Sequence, residues 1–504
     1  MYFKGCSPHQ VYQGFDRIIL RNRQLFIAPS LVAMQPRHFK LPLINQCIRF
    51  MTSKQLLTCF LILITIPTFA QLKVSSDHRF LQTTNGKPFF WLGDTAWELF
   101  HRLDREEADL YLKDRANKGF TVIQAVVLSE VDGLNTPNPY SAKPLINNDP
   151  TQPNEAYFKH VDYIVNKAEK LGLIIAMLPS WGSNWHKSGG SGPVLFNPEN
   201  ARSFGEFIGR RYKNKNIVWV MGGDRPIETP LQFQIIRAMA EGLKKGDEGK
   251  HLMTFHPPGG RSSSDFLKDD QWMDFNMSQT GHSKETKNYQ YNKKNRALTP
   301  IKPYVDGEPR YEDHPNQFNP GKFGWMDDFD ARQTAYWSML SGAFGHTYGN
   351  HNIWQFYTEK RNPISWARTH WKVALTHPGS MQVGLMRKLF EKRNWQKLVP
   401  DQSIIAHDNP ENAEYEVASV SQDGDFLMAY LPYGKKTKIN TSKLKGNKLN
   451  GWLFNPRDGR TLSLGTFDNT GSKAIAPHSE GRGSDWVVII DDASKNYPNP
   501  EVFD

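Results

Sequence analysis

What most constrains this chain is an alternation. Short apolar runs with strand character fall at residues 89–92, 122–127, 173–178, 217–221, 252–255, 273–277, 303–305 and 343–345. Longer helical patterns fill the gaps, for example at 105–118, 155–170, 201–212 and 230–245. Eight strand-then-helix repeats predict a (β/α)8 TIM barrel. A doubly wound parallel sheet is the alternative. It is disfavoured because no glycine-rich phosphate fingerprint follows the first run. A short β lead-in over 72–91, with a hairpin turn at Asn85-Gly86, precedes the barrel.

Near residue 400 the helical periodicity disappears. Runs at 415–421, 426–430, 449–454 and 486–490 are short and β-like, with turns at Asp423-Gly424 and Asp458-Gly459. They predict an all-β sandwich over 399–504, behind a barrel over 71–398.

The first 70 residues have another character. A weakly basic segment from Met51 leads into a nearly unbroken apolar run at 56–66, then Thr68-Phe69-Ala70. Residues 51–70 read as a secretory signal peptide. Residues 1–50 read as an upstream extension, untranslated or disordered, ahead of a start at Met51. A membrane anchor is the rival reading, but the run is short for a span and no stop-transfer flank follows it. The expectation is an exported protein with no stable membrane insertion after cleavage.

Composition enters the argument through this cut. Eight Lys and Arg and one acid lie in the first 70 residues. That leaves 54 basic and 50 acidic residues beyond them, so the formal net charge falls from +11 to +4. No nucleic-acid partner is expected from such a balance. Cys6, Cys47 and Cys59 also precede the cut. The mature chain is expected to have no disulfide, thiolate metal site or cysteine nucleophile.

Barrels of this kind carry their reactive groups just past the C-terminal ends of the strands. The first four tips read Gly93-Asp94-Thr95-Ala96-Trp97, Leu128-Ser129-Glu130, Pro179-Ser180-Trp181 and Gly222-Gly223-Asp224-Arg225. The last four read His256-Pro257-Pro258, Gln279-Thr280-Gly281-His282, Asp306-Gly307-Glu308-Pro309-Arg310-Tyr311-Glu312 and Gly345-His346-Thr347-Tyr348-Gly349. Every tip offers an acid, a histidine or a tryptophan. Paired carboxylates cut glycosidic bonds, one protonating the leaving oxygen while the other attacks or activates water. Flat aromatic rings suit sugar C–H faces, and polar rim groups suit hydroxyls.

Acids after the fourth and seventh strands can face each other across the mouth. Asp224 and Glu308 are therefore the candidate catalytic pair. Asp94, Trp97, Glu130, Trp181, His256, Gln279, His282, Arg310, Tyr311 and His346 are candidate substrate contacts. Each has a plainer reading. Asp224 could cap a helix or pair with Arg225, Glu308 could pair with Arg310, Asp94 could be a cap, and Trp97 and Trp181 could be core. Glu312 reads as structural. His256, His282 and His346 raise a metal-dependent hydrolase as a rival, but the first tip lacks the His-x-His that such clusters use. No metal or other cofactor is expected. No Gly-x-Ser-x-Gly elbow is present.

The phrases Trp91-Leu-Gly-Asp-Thr-Ala-Trp97, Val218-Trp-Val-Met-Gly-Gly-Asp224, Thr254-Phe-His-Pro257, Asp306-Gly-Glu-Pro-Arg-Tyr-Glu312 and Ala343-Phe-Gly-His-Thr-Tyr-Gly349 resemble the apiosidase-like proteins of glycoside hydrolase family 140. The resemblance runs from about Leu72 to the C-terminus. It includes the sandwich, which resembles a module described as collagen-binding in related chains. It implies a barrel that releases D-apiose-linked units from the side chains of rhamnogalacturonan II. It also implies Asp224 as acid/base, Glu308 as nucleophile, a pectic oligosaccharide as substrate, and a periplasmic or surface location in a Gram-negative bacterium. Another specificity, such as arabinofuranosidase, stays open, as does a non-catalytic glycan- or collagen-binding barrel. The sandwich shows no aromatic platform, since Trp452 and Trp486 sit in strand-like runs. A structural module packed on the barrel is expected there, not a collagen binder.

Overall fold

The computed structural model describes residues 71–187 and 194–502. Residues 1–70, read above as an upstream extension and a signal peptide, lie outside the described residues, as do all three cysteines. A three-stranded antiparallel lead-in (Leu72–Val74, Leu81–Thr83, Pro88–Phe89) opens the described chain. Its second turn is built on Asn85-Gly86, where Gly86 takes φ 87°, a region that glycine enters without a Cβ penalty.

Eight strands then form the barrel: β1 (Trp91–Thr95), β2 (Val122–Leu128), β3 (Ile174–Ser180), β4 (Ile217–Gly222), β5 (Met253–His256), β6 (Asn276–Gln279), β7 (Tyr304–Asp306) and β8 (Gly345–Tyr348). They pair in the order β5-β4-β3-β2-β1-β8-β7-β6, all parallel. A two-residue strand, Arg261–Ser262, pairs antiparallel with β6. The seam between β5 and β6 is bridged by the Asp274 N–H donating to the Met253 carbonyl (2.9 Å) and by Thr254 Oγ1 donating to the Phe275 carbonyl (2.7 Å). The strands are buried along their whole length. Such burial follows when helices cover the outside and side chains fill the inside.

A longer helix follows most strands: α1 (Arg105–Asn117), α2 (Glu155–Lys170), α3 (Pro198–Tyr212), α4 (Pro230–Asp247), the single turn α5 (Ser264–Leu267), α6 (Asn288–Arg296), α7 (Asp328–Leu340) and α8 (Pro378–Glu391). Local sequence starts these helices. Asp104 caps α1 by accepting from the Glu107 N–H (2.8 Å). Asn197 with Asn200, Thr229 with Gln232 and Asp327 with Asp330 form reciprocal capping boxes for α3, α4 and α7, with proline at the first turn of α3 and α4. α3 and α4 approach backbone to backbone through Gly205, Gly209, Gly242 and Gly246. A Cβ at Gly242 would lie 2.2 Å from the Arg202 carbonyl.

Two boundaries differ from the sequence expectation. Residues 88–89 pair with the lead-in, so β1 starts at Trp91 and ends at Thr95. β8 runs on to Tyr348. Asp94 and His346 therefore lie inside strands, not on the rim.

The C-terminal part is all β. A six-stranded sheet runs in the order β9-β10-β11-β16-β13-β14 and a two-stranded sheet pairs β12 with β15. The strands are β9 (Leu398–Pro400), β10 (Val417–Ser421), β11 (Phe426–Leu431), β12 (Thr437–Asn440), β13 (Lys448–Phe454), β14 (Thr461–Asp468), β15 (Ser472–Ile475) and β16 (Trp486–Asp492). Alternation along β11 and β16 serves both faces of the large sheet. Phe426, Met428, Tyr430, Val487 and Ile489 join the core shared with the barrel, while Leu427, Ala429, Leu431, Val488 and Ile490 pack with Ile439 of β12 in a core of their own. On the barrel side Tyr430 stacks on Tyr336 of α7 (centroids 4.8 Å apart, planes 8°). Arg332 pairs with Asp485 (2.9 Å), and Arg393 pairs with Asp491 (2.8 Å). Trp486 is buried in the sheet's own core. Trp452 is half-buried and donates from Nε1 to Asp491 (3.2 Å).

Candidate active site

An open cleft of about 640 Å³ lies over the C-terminal ends of the barrel strands. Every strand contributes: Trp97 follows β1, Glu130 β2, Trp181 β3, Asp224 β4, Gly259 β5, His282 β6, Glu308 β7 and His351 β8.

The β4 tip is sharply folded. Gly222, Gly223 and Asp224 take φ 96°, 102° and 56° in succession. A Cβ on Gly222 would meet the His256 carbonyl at 2.4 Å, and one on Gly223 would meet the Gly182 nitrogen at 2.8 Å. Two glycines are thus needed to bring the chain down onto the neighbouring tips. Asp224 itself is a non-glycine residue in the left-handed region, a strained conformation of the kind that collects at functional sites. Its side chain is 32% exposed, enough for a ligand in the cleft to reach it.

Glu308 is buried beneath the cleft and held from two sides. His282 Nε2 donates to Oε1 at 3.1 Å. His256 Nε2 lies 2.9 Å from Oε2, off the line of a straight hydrogen bond. The Asp224 backbone N–H donates to His256 Nδ1 at 3.3 Å, which leaves the ring proton on Nε2, facing Glu308. One imidazole therefore ties the backbone of one acid to the carboxylate of the other. Trp97 and Trp181 pack against that imidazole, with ring centroids 5.3 and 6.1 Å away.

These surroundings push the two carboxyls apart. Burial alone raises Glu308, but the His256 and His282 imidazoles that face its two oxygens outweigh it and hold the group below the ordinary glutamate range. Burial raises Asp224, and the negative charge of Glu308 adds to the rise. Arg225, paired with it at 2.8 Å, only partly offsets this. The surroundings thus push the two carboxyls in opposite directions, Glu308 toward the ionised form and Asp224 toward the protonated form, the pattern from which acid and base roles are read. Glu130 faces the same cleft. Burial, then the charges of Glu98, Asp224 and Glu308, raise it well above its usual range.

Of the residues expected to contact substrate, Trp97, Glu130, Trp181, Gln279, His282 and Tyr311 line the cleft beside Asp224 and Glu308. Four do not. Asp94 points outward from β1 and accepts from Tyr111 Oη and Arg115 Nε, both at 2.6 Å, beneath α1. His346 is buried against Ser338 of α7 (3.2 Å), where burial pushes it down to about 3. Arg310 donates to the carbonyls of Ser283, Lys284 and Thr286 and to Gln333, so it secures the β6 loop from behind. His256 acts on Glu308 and lies below the cleft lining. The three histidines that suggested a metal do not converge, because His346 stands apart from the other two. Among the described residues no group of three or more His, Cys, Asp and Glu side chains is arranged to hold a metal.

Sequence reading missed a second layer of the cleft. His314, Phe318, His351, Trp354 and Ser365 line it from the loops after β7 and β8. His314 stacks on His282 (4.2 Å, 27°) and meets His351 edge-on (4.3 Å, 72°). Burial lowers His314 well below the ordinary imidazole range and His351 to about 4, so both are neutral. The signal was present in Asp313-His314 and Asn350-His351-Asn352, just beyond the residues counted as tips.

Comparison with known proteins agrees with this geometry. A family model described as "Apiosidase-like, catalytic domain" matches residues 75–397, and one described as "Putative collagen-binding domain of a collagenase" matches 399–491. No curated protein matches the chain. A solved structure titled "Glycoside hydrolase" is 34% identical with TM-score 0.79, covering 86% of this chain and 99% of its own. A structure described as a glycoside hydrolase family 5 protein from Bacteroides vulgatus ATCC 8482 is 32% identical with TM-score 0.79, covering 86% and 96%. A further glycoside-hydrolase structure from that organism, at 15% identity and TM-score 0.63, shares the fold. With a family model spanning most of its length and two similar solved glycoside hydrolases over 86% of it, this chain belongs to the apiosidase-like glycoside hydrolases.

Proposed function

We propose that the chain is a family 140 apiosidase that hydrolyses D-apiose linkages in rhamnogalacturonan II side chains by a two-carboxylate mechanism. The observation that carries the mechanism is the split between Glu308, whose carboxyl two imidazoles hold below the ordinary range, and Asp224, whose carboxyl is raised by burial and by the charge of Glu308. Glu308 attacks the anomeric carbon while Asp224 protonates the departing oxygen. The glycosyl–Glu308 ester is then opened by water that Asp224, now a base, deprotonates. The first step leaves Asp224 deprotonated; the second returns a proton to it from water and frees the Glu308 carboxylate, and two inversions retain the anomeric configuration. His256 and His282 keep Glu308 charged and oriented. Trp97 and Trp181 supply flat walls for the sugar. The specificity rests on the apiosidase-like match over 75–397. The proposal includes export to the periplasm or cell surface, with the β-sandwich as a structural support for the barrel.

The test is sugar release from rhamnogalacturonan II oligosaccharides by the purified protein, with the anomer of the first product followed by NMR. Apiose-linked product with retained configuration is expected. Release of arabinose alone would move the specificity to arabinofuranosides, and no release from any pectic or furanosidic substrate would leave a binding protein.

A further inference from the structure

Trp366 is 63% exposed, the most exposed large apolar side chain among the described residues, and Phe318 is 56% exposed. Neither is on a random stretch of surface. Phe318 lines the cleft from the β7 loop, and Ile364 and Ser365, immediately before Trp366, line it from the β8 loop.

Both aromatics are presented by strained backbone. Gln317 and Phe318 take φ 53° and 56°, and Ser365 and Trp366 take 46° and 70°. Bulky residues rarely enter this region, and they persist there only where the surroundings over-determine them. The surroundings do so here. His351 Nε2 donates to the Ser365 carbonyl (2.7 Å). Gln355 brackets Ile364, accepting from its N–H (3.0 Å) and donating to its carbonyl (3.2 Å). The Gln317 N–H donates to the His282 carbonyl (3.0 Å), and His314 meets the Phe318 ring edge-on (4.8 Å, 84°). His351 thus holds the backbone just before Trp366, while His282 and His314 hold the rim at Phe318.

Core packing accounts for neither residue, because most of each ring faces solvent. Two exposed aromatic rings carried on anchored backbone at the mouth of a carbohydrate-cleaving cleft match the apolar C–H faces of sugar rings. We infer that Trp366 and Phe318 form an outer saccharide subsite that holds sugar units beyond the bond being cut, so that the cleft prefers an oligosaccharide to a minimal glycoside. This rests on the glycosidase reading and assigns a substrate length to it.

The experiment compares wild type, Trp366→Ala, Trp366→Tyr and Phe318→Ala on a short aryl apioside and on size-graded rhamnogalacturonan II oligosaccharides. A stacking contact corresponds to about a tenfold change in kcat/KM. That loss is expected for Trp366→Ala on the longer substrates, carried by KM, with the aryl apioside and thermal unfolding unchanged and with Trp366→Tyr restoring most of it. Equal loss on short and long substrates, or none on either, overturns the subsite. Absence of wild-type turnover on both overturns the glycosidase reading instead. Binding of the longest oligosaccharide by wild type and Trp366→Ala then decides the subsite directly, and equal affinity overturns it.

Discussion

Replacing His282 with phenylalanine isolates one of the two supports of Glu308. The ring that stacks on His314 at 4.2 Å and lies 4.4 Å from Tyr311 is kept, and the donor to Glu308 Oε1 is lost. A hydrogen bond to a charged group contributes about 1.5–3 kcal/mol, which corresponds to about one to two pH units in the ionisation of the acceptor. His256 remains, so Glu308 should still ionise, but later. The acid limb of the kcat/KM profile should therefore move up by about one to two pH units. Stability supplies an independent readout. A carboxyl held low in the folded state stabilises the fold above the ordinary glutamate range, and that stabilisation is lost as pH falls through the lowered value. Wild type should exceed the variant in urea-unfolding stability at neutral pH, with the gap closing in acid. An unmoved acid limb together with a pH-independent stability gap would refute the claim that His282 holds this carboxylate ionised.

Other consequences are equally concrete. Asp224→Asn should raise thermal stability, because the raised carboxyl favours the fold below its unfolded value and loses that contribution as pH rises through its folded one. The advantage of the variant should grow with pH in a thermal-unfolding series and vanish in acid. Gly242→Ala sets a helix-propensity gain of about 1 kcal/mol against a Cβ 2.2 Å from the Arg202 carbonyl. Backbone cannot move aside cheaply, so chemical denaturation should show a net loss of about 1–3 kcal/mol. Arg393→Met leaves Asp491, 1% exposed, with only the Trp452 Nε1 contact, and should cost about 3–5 kcal/mol in urea unfolding.

The barrel was legible because its signal is periodic and repeated. Eight apolar runs set the strand count, and Asp224 and Glu308 followed from reading the residues just past the fourth and seventh. The errors came from register. A strand end displaced by three residues turned Asp94 and His346 from buried strand residues into apparent rim residues. Arg310 was beyond local reading, since its partners Ser283, Lys284 and Thr286 come from another loop. The strands β12 and β15 were missed because they are short and mixed in polarity, and β14 because most of it faces solvent. The rim formed by His314, Phe318, His351 and Trp366 depends on where two long loops fold back, which no periodicity encodes.

The central claim is that Asp224 and Glu308 work as a catalytic pair, Asp224 as the proton donor and Glu308 as the attacking carboxylate. Its most direct test is the rate of sugar release from rhamnogalacturonan II oligosaccharides by wild type, Asp224→Asn and Glu308→Gln, compared at equal folded concentration. General acid catalysis contributes about 10²–10⁴-fold. Losses of at least that size are predicted for both variants, with Asp224→Asn no less stable than wild type at neutral pH and Glu308→Gln less stable there, since it gives up the carboxylate that the fold holds ionised. Full activity in either variant would contradict the account.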